Sequence, residues 1–216
     1  MDYRYDKSDQ NELNYIHNYK NTVCPKCKSK PRHRIICYFF NEKKYFLNES
    51  IISKILMFGA EPCIMSWFKM HGFKYTTADL YNRADIKVDI QKTPFPDECW
   101  SLIICNHVLQ HVGNYYLALQ ELKRILKKQG ILELTVAKNT SLETVFEDKE
   151  FTEEQRMEKL GQKDYLRIFG NNFKEILIEI GFFVEIIDGN NLPQNIRGVI
   201  GPGCLDENKI YICRKL

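Results

Sequence analysis

Residues 100–137 read WSLIICNHVLQHVGNYYLALQELKRILKKQGILELTVA. Trp100 to Cys105 is a continuous apolar run, suited to a central strand covered on both faces. Asn114 to Lys128 then sets Tyr115, Ala118, Leu119, Leu122, Ile125 and Leu126 at helical spacing on one face. Lys127 and Lys128 suit the C-terminus of that helix, and Gly130 the position just beyond it. Ile131 to Ala137 is then the next strand. Short apolar strands joined by a helix of this length indicate a parallel sheet with helices packed on it.

The same alternation extends in both directions. Upstream, Lys54 to Phe58 reads as a strand ending at Gly59, and Pro62 to His71 as a helix with proline in its first turn and Gly72 at its end. Phe73 to Ala78 and Ile86 to Ile90 are short β-type runs. Downstream, Asn171 to Ile180 reads as a helix stopped by Gly181, Phe183 to Ile187 as a strand and Lys209 to Arg214 as a last strand. The expected class is α/β, a mainly parallel sheet with helices on both faces. In such sheets ligands bind beyond the carboxyl ends of the strands, near the switch in strand order. Residues 1–49 are polar and Asn-rich, and are expected to form an N-terminal extension folded onto a main domain of residues 50–216. Segments 138–170 and 188–208 stand outside the alternation, as insertions on the substrate side. Within the first, Glu143 to Arg156 reads as a solvated helix or loop, or as a lid.

Composition bounds the remaining choices. At 216 residues the chain fits one domain with at most a small appendage, and it buries a sizeable core without disulfides. Aromatics at 12% and only 11 Gly and 7 Pro exclude collagen-like and disordered classes. No apolar run approaches the ~20 residues of a membrane helix, and the opening MDYRYDKSDQNELNY has no apolar signal core. These features point to a cytoplasmic protein without membrane partners. Cys37, Cys63, Cys99, Cys105 and Cys213 sit among apolar neighbours, as free thiols do in cores. Net charge is only +3, but residues 20–44 hold eight basic residues against Glu42 alone. Such a patch meets RNA, a phosphorylated substrate or a cofactor carboxylate, or is simply a solvated loop.

The residues just beyond each strand carry the chemistry. Gly59-Ala60-Glu61-Pro62 puts small residues before a helix start, where a ligand can approach the backbone and an anion can meet free N–H groups. Asp79 lies about 20 residues beyond that turn, where a carboxylate accepts from the two hydroxyls of a ribose. Asp89-Ile90 pairs a carboxylate with an apolar side chain, suited to a purine. Each of these carboxylates also reads as a helix cap, but their order and spacing together favour a ligand containing adenosine. Gly198 to Gly203 (GVIGPG) lacks the Lys-Ser/Thr of a phosphate loop and reads as a turn.

ILMFGAEPCIMSWF, KYTTADLY and KVDIQKTPFPDECWSLIICNHVLQHVGNYYLALQELKRILKKQGILELTV together resemble a class I S-adenosylmethionine-dependent methyltransferase, over roughly residues 54–137. The resemblance is strongest to a bacterial branch with an N-terminal C-P-x-C…R-H-R element and a late G-Q-x-D-x-x-R-x-x-G element. Here these are Cys24-Pro-Lys-Cys27, Arg32-His33-Arg34 and Gly161-Gln162-Lys163-Asp164-Tyr165-Leu166-Arg167-Ile168-Phe169-Gly170. The resemblance implies a Rossmann-like seven-stranded sheet with its last strand antiparallel. It implies S-adenosylmethionine as cofactor, with Phe58, Gly59, Ala60 and Glu61 bordering its methionine part and Asp79 with Leu80 at the ribose. Asp89 and Ile90 would meet the adenine, and Asn106 would lie beneath the sulfonium.

The departures are informative. One glycine stands where G-x-G-x-G is usual, and the usual L-E-H is Leu109-Gln110-His111. With His107 and Gln110 at the positions where some relatives carry metal-binding carboxylates, no catalytic magnesium is expected. An acceptor alcohol needs a base, and histidine is tuned for that near neutral pH. His107 and His111, four apart and on one face of any helix there, are the candidates; the alternative for His111 is a structural hydrogen bond under the sheet edge. Arg32, Arg34, Tyr165 and Arg167 are expected at the substrate mouth. Cys24 and Cys27 offer half of a structural zinc site, with His33 and Cys37 as third and fourth ligands, or a metal-free turn. The expected activity is methyl transfer to O or N of a small polar acceptor such as a sugar. An RNA or protein methyltransferase is the alternative enzyme, although nucleic acid is disfavoured by the charge. A non-catalytic cofactor-binding or interaction module is the alternative of another class.

Overall fold

The computed structural model of the chain describes residues 23–42, 53–194 and 209–215. The elements run α1 (Pro31–Glu42), β1 (Ile55–Phe58), α2 (Pro62–Met70), β2 (Thr76–Asp79), β3 (Ile86–Lys87), β4 (Trp100–Asn106), α3 (Tyr115–Ile125) and β5 (Leu126–Thr135). After these come β6 (Phe146–Glu147), α4 (Glu153–Leu160), β7 (Arg167–Ile168), α5 (Phe173–Ile180), β8 (Phe182–Asp188) and β9 (Lys209–Lys215). Seven strands form one sheet in the order β3-β2-β1-β4-β5-β9-β8. The pairings β1–β2, β1–β4, β2–β3 and β4–β5 are parallel, whereas β9 runs antiparallel to both β5 and β8. This is the Rossmann-like, mainly parallel sheet with an antiparallel last strand that the sequence implies. The chain reverses its direction of winding between β1 and β4, so the crevice beyond Phe58 and Asn106 is the switch point where such sheets bind ligands.

Strand side chains alternate between two faces, and each face has its own core. Leu56, Phe58, Ile103, Cys105, Leu132 and Leu134 meet Leu119 and Leu122 of α3 and Phe173 and Leu177 of α5. On the other face, Met57, Ile104, Ile131 and Ile212 lie with Ile35, Ile36, Phe39 and Phe40 of α1 and Ile64 and Phe68 of α2. Phe40 meets Phe68 edge to face, with ring centroids 5.3 Å apart. Helix α1 is absent from the strand–helix alternation read from the sequence. Its signal is nonetheless present: proline in the first turn, then apolar residues in adjacent pairs four apart, 35/36 and 39/40.

The third helix departs from expectation at its end. Asn114 caps it, its side chain accepting from the Leu117 amide, but the helix stops at Ile125 and residues 126–130 already belong to β5. The carbonyls of Arg124 and Ile125 accept from the amides of Glu98 and Cys99, and Leu126 pairs with Trp100 across the sheet. The loop before β4 thus takes the acceptors that another helical turn would need, so Lys127 and Lys128 lie in the strand instead of the last helical turn. Strands β2 and β3 are also shorter than the apolar runs that announce them. Within 138–170, β6 and β7 pair antiparallel, and the helix lies at 153–160, later than the 143–156 expected. Thr152 and Gln155 cap it reciprocally, and Gly161 closes it in the left-handed conformation. Among the described residues no helix is long and apolar enough to cross a membrane.

One charged residue is wholly buried inside the sheet. Glu133 of β5 has no exposure; its Oε2 accepts from the Asn106 amide at 3.0 Å and its Oε1 has no partner among the described residues. Burial pushes its carboxyl up to about 8, with the neighbouring Glu61 adding to the rise. The folded chain therefore holds a proton there that the unfolded chain releases near 4.5, and stability contributed by this group is lost as pH climbs from about 4.5 through about 8. Glu133→Gln should remove that dependence, which reaches at most about 1.4 kcal/mol per pH unit for one proton. Urea unfolding of both proteins at pH 5, 6, 7 and 8 checks this, and parallel stability curves would disprove it.

Candidate active site at the strand switch point

The turn after β1 depends on Gly59. Its φ is +57°, and a Cβ there would stand 2.8 Å from Cγ2 of Val108. The bare residue lets the loop after β1 and the loop after β4 close on each other across the crevice. Its side-chain neighbours divide sharply between structural and available. Phe58 is buried in the sheet core, so only its backbone borders the crevice; Ala60 is half-buried.

Glu61 is held by helix α1. Its Oε1 accepts from Nη2 of Arg32 and from Nε2 of His33, both at 2.7 Å. The His33 Nδ1 takes the Lys30 amide at 3.1 Å and lies 2.8 Å from the Cys63 thiol. An amide can only donate, so Nδ1 accepts and the ring proton sits on Nε2, pointing at Glu61. Burial holds the His33 pKa below the usual histidine value although Glu61 pulls it upward, so the ring is neutral near pH 7. Glu61 itself stays below the usual carboxylate range: burial opposes this, but the bonds from His33 and Arg32 outweigh it. Arg34 donates to the Ser29 carbonyl at 2.7 Å and to its hydroxyl at 3.3 Å, bracing the Cys24–Cys27 turn.

In that turn the Lys28 amide donates to the Cys24 carbonyl at 2.9 Å and Lys28 takes a left-handed φ of 58°. Backbone amides, first that of Cys27 and then that of Lys26, lower the Cys24 thiol pKa. His33 is committed elsewhere, and burial pushes the Cys37 thiol up to about 12. Among the described residues no group of three or more His, Cys, Asp or Glu side chains is placed to hold a metal ion. The turn therefore supplies two thiols and no complete donor set.

Asp79 ends β2. Its Oδ1 accepts from the amides of Tyr81 and Asn82 at 2.8 and 2.7 Å, and the Asn82 side-chain nitrogen lies 3.2 Å from both oxygens. Burial is the largest single influence and raises its pKa, but the amides of Asn82, Tyr81 and Leu80 and the Asn82 side chain together outweigh it, so the carboxylate stays ionised. Leu80 beside it is half-buried. Asp89 is gripped by Gln91, whose amide donates at 2.8 Å and whose side-chain nitrogen reaches both oxygens at 3.1 Å. The Gln91 carbonyl oxygen accepts from the Asn114 amide, tying this loop to the start of α3. Ile90 is buried under it.

After β4, Asn106 is fixed by Glu133 on its amide and by the Thr135 hydroxyl, which donates to its Oδ1 at 2.8 Å. His107 has a φ of 52°, so residues 107–111 do not form one helical face; only Leu109–His111 make a 3-10 turn. Burial, reinforced by Arg32 and Lys30, holds the His107 pKa well below the ordinary value, and its Nε2 is buried without a partner among the described residues. His111 is part-exposed at the rim. Its Nδ1 lies 3.1 Å from Oδ2 of Asp164 and 3.1 Å from the Asp164 carbonyl oxygen, and the Tyr165 ring stands edge-on at 5.0 Å.

Arg167 is buried instead of facing solvent, with its side chain 3% exposed. Its guanidinium donates to the carbonyls of Leu109, Val112 and Gly113 and to Oε2 of Glu147, over the face of Tyr115. The Leu166 amide adds a bond to the Gln110 carbonyl at 2.8 Å. The late element is thus strapped to the turn that carries His111. Asp164, Gln91 and Val108 are site residues to which the sequence reading assigns no role; for Asp164, its place in the late element was the available signal.

Residues 70–134 match the family model described as a methyltransferase domain. That span contains Asp79, Asp89, Asn106, His107 and His111 but begins beyond the Gly59 turn. An uncharacterized protein of Methanocaldococcus jannaschii is 43% identical over 65 residues, which are 29% of this chain and 28% of that one. The chain therefore spans less than a third of that relative. A SAM-dependent methyltransferase from Archaeoglobus fulgidus superposes with a TM-score of 0.53 at 13% identity, over 85% of this chain and 94% of the other. The CurJ carbon methyltransferase gives 0.57 at 18%, over 84% and 53%. A putative methyltransferase crystallised with the Haloferax volcanii Trm112 methyltransferase activator gives 0.51 at 9%, over 84% and 93%. The chain has the fold of these proteins, and its central segment matches the methyltransferase-domain model over 70–134.

Two substitutions test the structural assignments. Glu61→Gln removes the carboxylate that the buried Arg32 and His33 share, and should cost about 3 kcal/mol in denaturant unfolding. A loss below about 0.5 kcal/mol would mean that Arg32 is balanced elsewhere. Arg167→Lys keeps the charge but not the planar fork, so it leaves at least one buried carbonyl unpaired and should cost about 2 kcal/mol. Hydrogen exchange should accelerate at residues 109–113 in that variant and not in β1.

Proposed function

We propose that this chain binds S-adenosylmethionine across the switch point and transfers its methyl group to oxygen or nitrogen of a small polar acceptor. The observation that carries this reading is the gathering at one sheet edge of the Gly59 turn, the ionised Asp79 at the end of the next strand and His111 on the loop after β4. When bound, the cofactor supplies an electrophilic methyl carbon on a sulfonium.

The residues present fit such a ligand. Asp79, ionised and half-buried at the crevice, offers the ribose hydroxyls its Oδ2, which the Asn82 side-chain amide meets at a long 3.2 Å. Leu80 and Ile90 supply apolar surface for the purine, and the backbone of Phe58 to Ala60 borders the methionine part. Asn106 shapes the floor of the crevice through its fixed backbone. Rate then depends on holding acceptor and methyl group in line about 3–3.5 Å apart, and on a group that takes the acceptor proton. Of the two histidines, His111 at the rim is the base. His107, neutral and shut in, lines the wall behind it. Tyr165 flanks the same mouth. Segment 138–170, tied by Arg167 and Leu166 to residues 109–113, walls the acceptor side in this reading.

The basic stretch gives little support to a nucleic-acid acceptor. Arg32 is buried on Glu61, and Arg34 is half-buried with one guanidinium nitrogen braced on Ser29, so both are engaged by the protein. Lys20, Lys43 and Lys44 lie outside the described residues. Because no third or fourth donor joins the thiols of Cys24 and Cys27 among the described residues, this reading assigns structural zinc no part in the chemistry.

Calorimetry with S-adenosylmethionine and S-adenosylhomocysteine tests the proposal. Micromolar binding is expected, weakened at least about tenfold (about 1.4 kcal/mol) in Asp79→Ala. Absence of binding to the native chain would overturn the enzyme reading in favour of an interaction module. Unchanged affinity in the variant would move the ribose away from Asp79.

A further inference from the structure

We infer that Asp164 is the positioning residue for the proton-accepting imidazole, fixing His111 with its ring proton on Nδ1 and its lone pair on Nε2. The inference deepens the proposed methyl transfer and rests on that reading only for what the lone pair does. The geometry is direct. His111 Nδ1 lies 3.1 Å from two oxygens, Oδ2 of Asp164 and the Asp164 backbone carbonyl. Both are pure acceptors at neutral pH, so the nitrogen between them must donate, and the neutral ring must carry its free electron pair on Nε2.

Nothing in the arrangement is left loose. The 3-10 turn that carries His111 is held by the three carbonyl bonds of Arg167 and by the Leu166 amide on Gln110, and Asp164 lies only two and three residues before those anchors. Tyr165 stands edge-on to the imidazole at 5.0 Å and restricts its rotation. Asp164 is 69% exposed and the His111 side chain 32%, so water screens their attraction. The effect of the pair is therefore orientation and tautomer more than charge.

The contrast with His107 shows what the device selects. Gln110 Nε2 donates to the His107 carbonyl at 2.9 Å and lies 3.3 Å from His107 Nδ1. The carbonyl fixes the amide orientation, so His107 Nδ1 accepts and its proton sits on the buried Nε2. The two histidines are locked in opposite tautomers, and only His111 keeps a basic nitrogen at the rim. A proton leaving an acceptor O–H or N–H would end on His111 Nε2, and the imidazolium so formed would keep its Nδ1–H on Asp164.

Long-range proton–nitrogen NMR of the full chain above the histidine titration range tests this without turnover. His111 should appear as the Nδ1–H form alone in the native chain and in Asp164→Glu, and should gain a detectable share of the Nε2–H form in Asp164→Ala, where the backbone carbonyl of residue 164 is the acceptor that is left. Carbethoxylation of His111 by diethyl pyrocarbonate, followed by mass spectrometry, should slow severalfold in Asp164→Ala and recover in Asp164→Glu. An Nε2–H form in the native chain, or an alanine variant indistinguishable in both measurements, overturns the inference. S-adenosylhomocysteine calorimetry on the same samples separates the two readings. A native chain with the Nδ1–H form and no cofactor affinity keeps the pair and ends methyl transfer; affinity with the Nε2–H form does the reverse.

Discussion

One carboxylate oxygen, Oε1 of Glu61, takes both the Arg32 guanidinium and the His33 imidazole at 2.7 Å. A parallel sheet brings the ends of its strands together at one edge, and here α1 covers that edge next to the turn after β1. Covering it removes water from a cation and an anion, which is tolerable only when each finds the other with good geometry. The position of α1 over Met57, Ile104 and Ile212 and the start of α2 both depend on this contact. Glu133, on β5 two strands over from β1 in the same sheet, senses the same pair: Glu61 raises its pKa and Arg32 lowers it. A site expected to bind ligand at its first turn thus has, immediately behind that turn, a buried ionic joint that binds the protein to itself.

The opposite wall uses the same principle with carbonyls in place of a carboxylate. Arg167 donates to three backbone oxygens of residues 109–113, that of Leu109 in the 3-10 turn and those of Val112 and Gly113 just beyond it. Gly170 then passes so close to Thr144 that a Cβ would stand 2.3 Å from its carbonyl oxygen. The spacing of the late element is therefore explained by geometry at four points: a helix stop at Gly161, a contact to His111 at Asp164, a clamp at Arg167 and a backbone crossing at Gly170. Its arginine works inward.

The fold was legible because its signals are local. Apolar runs such as SLIIC and ILELTV, with one helical period between them, carry their own periodicity, and all seven strands of the main sheet are announced that way. Helix α1 was equally periodic but hidden behind a polar opening. The end of α3 was not legible, because what stops it is the loop of residues 98–99 arriving from elsewhere in the chain. The site divides along the same line. Asp79 and Asp89 stand out by their order after strands. Whether Arg32, Arg34 and Arg167 face a ligand or the protein depends on partners 5 to 58 residues distant, and spacing contains no information about that. The same limit applies to His107 and His111: a separation of four suggests one helical face, whereas the left-handed backbone at His107 turns them into different surroundings.

These two joints divide the crevice mechanically. Because Arg167 and Leu166 hold the backbone of residues 109–113, any displacement of the late element carries His111 and Asp164 with it as one body. The side formed by the turns after β1 and β3 is bound by separate contacts, Glu61 to α1 and Gln91 between Asp89 and the start of α3. His111 therefore moves with Asp164, while its distance to the Gly59 turn is set by how the two sides meet. Val108 against Gly59 is one place where they meet, and Gln91 beside Gly113 and Asn114 is another. On the proposed reading, alignment of acceptor and methyl group tolerates little error, so the fit at these contacts governs the rate more than the identity of any exposed side chain around them.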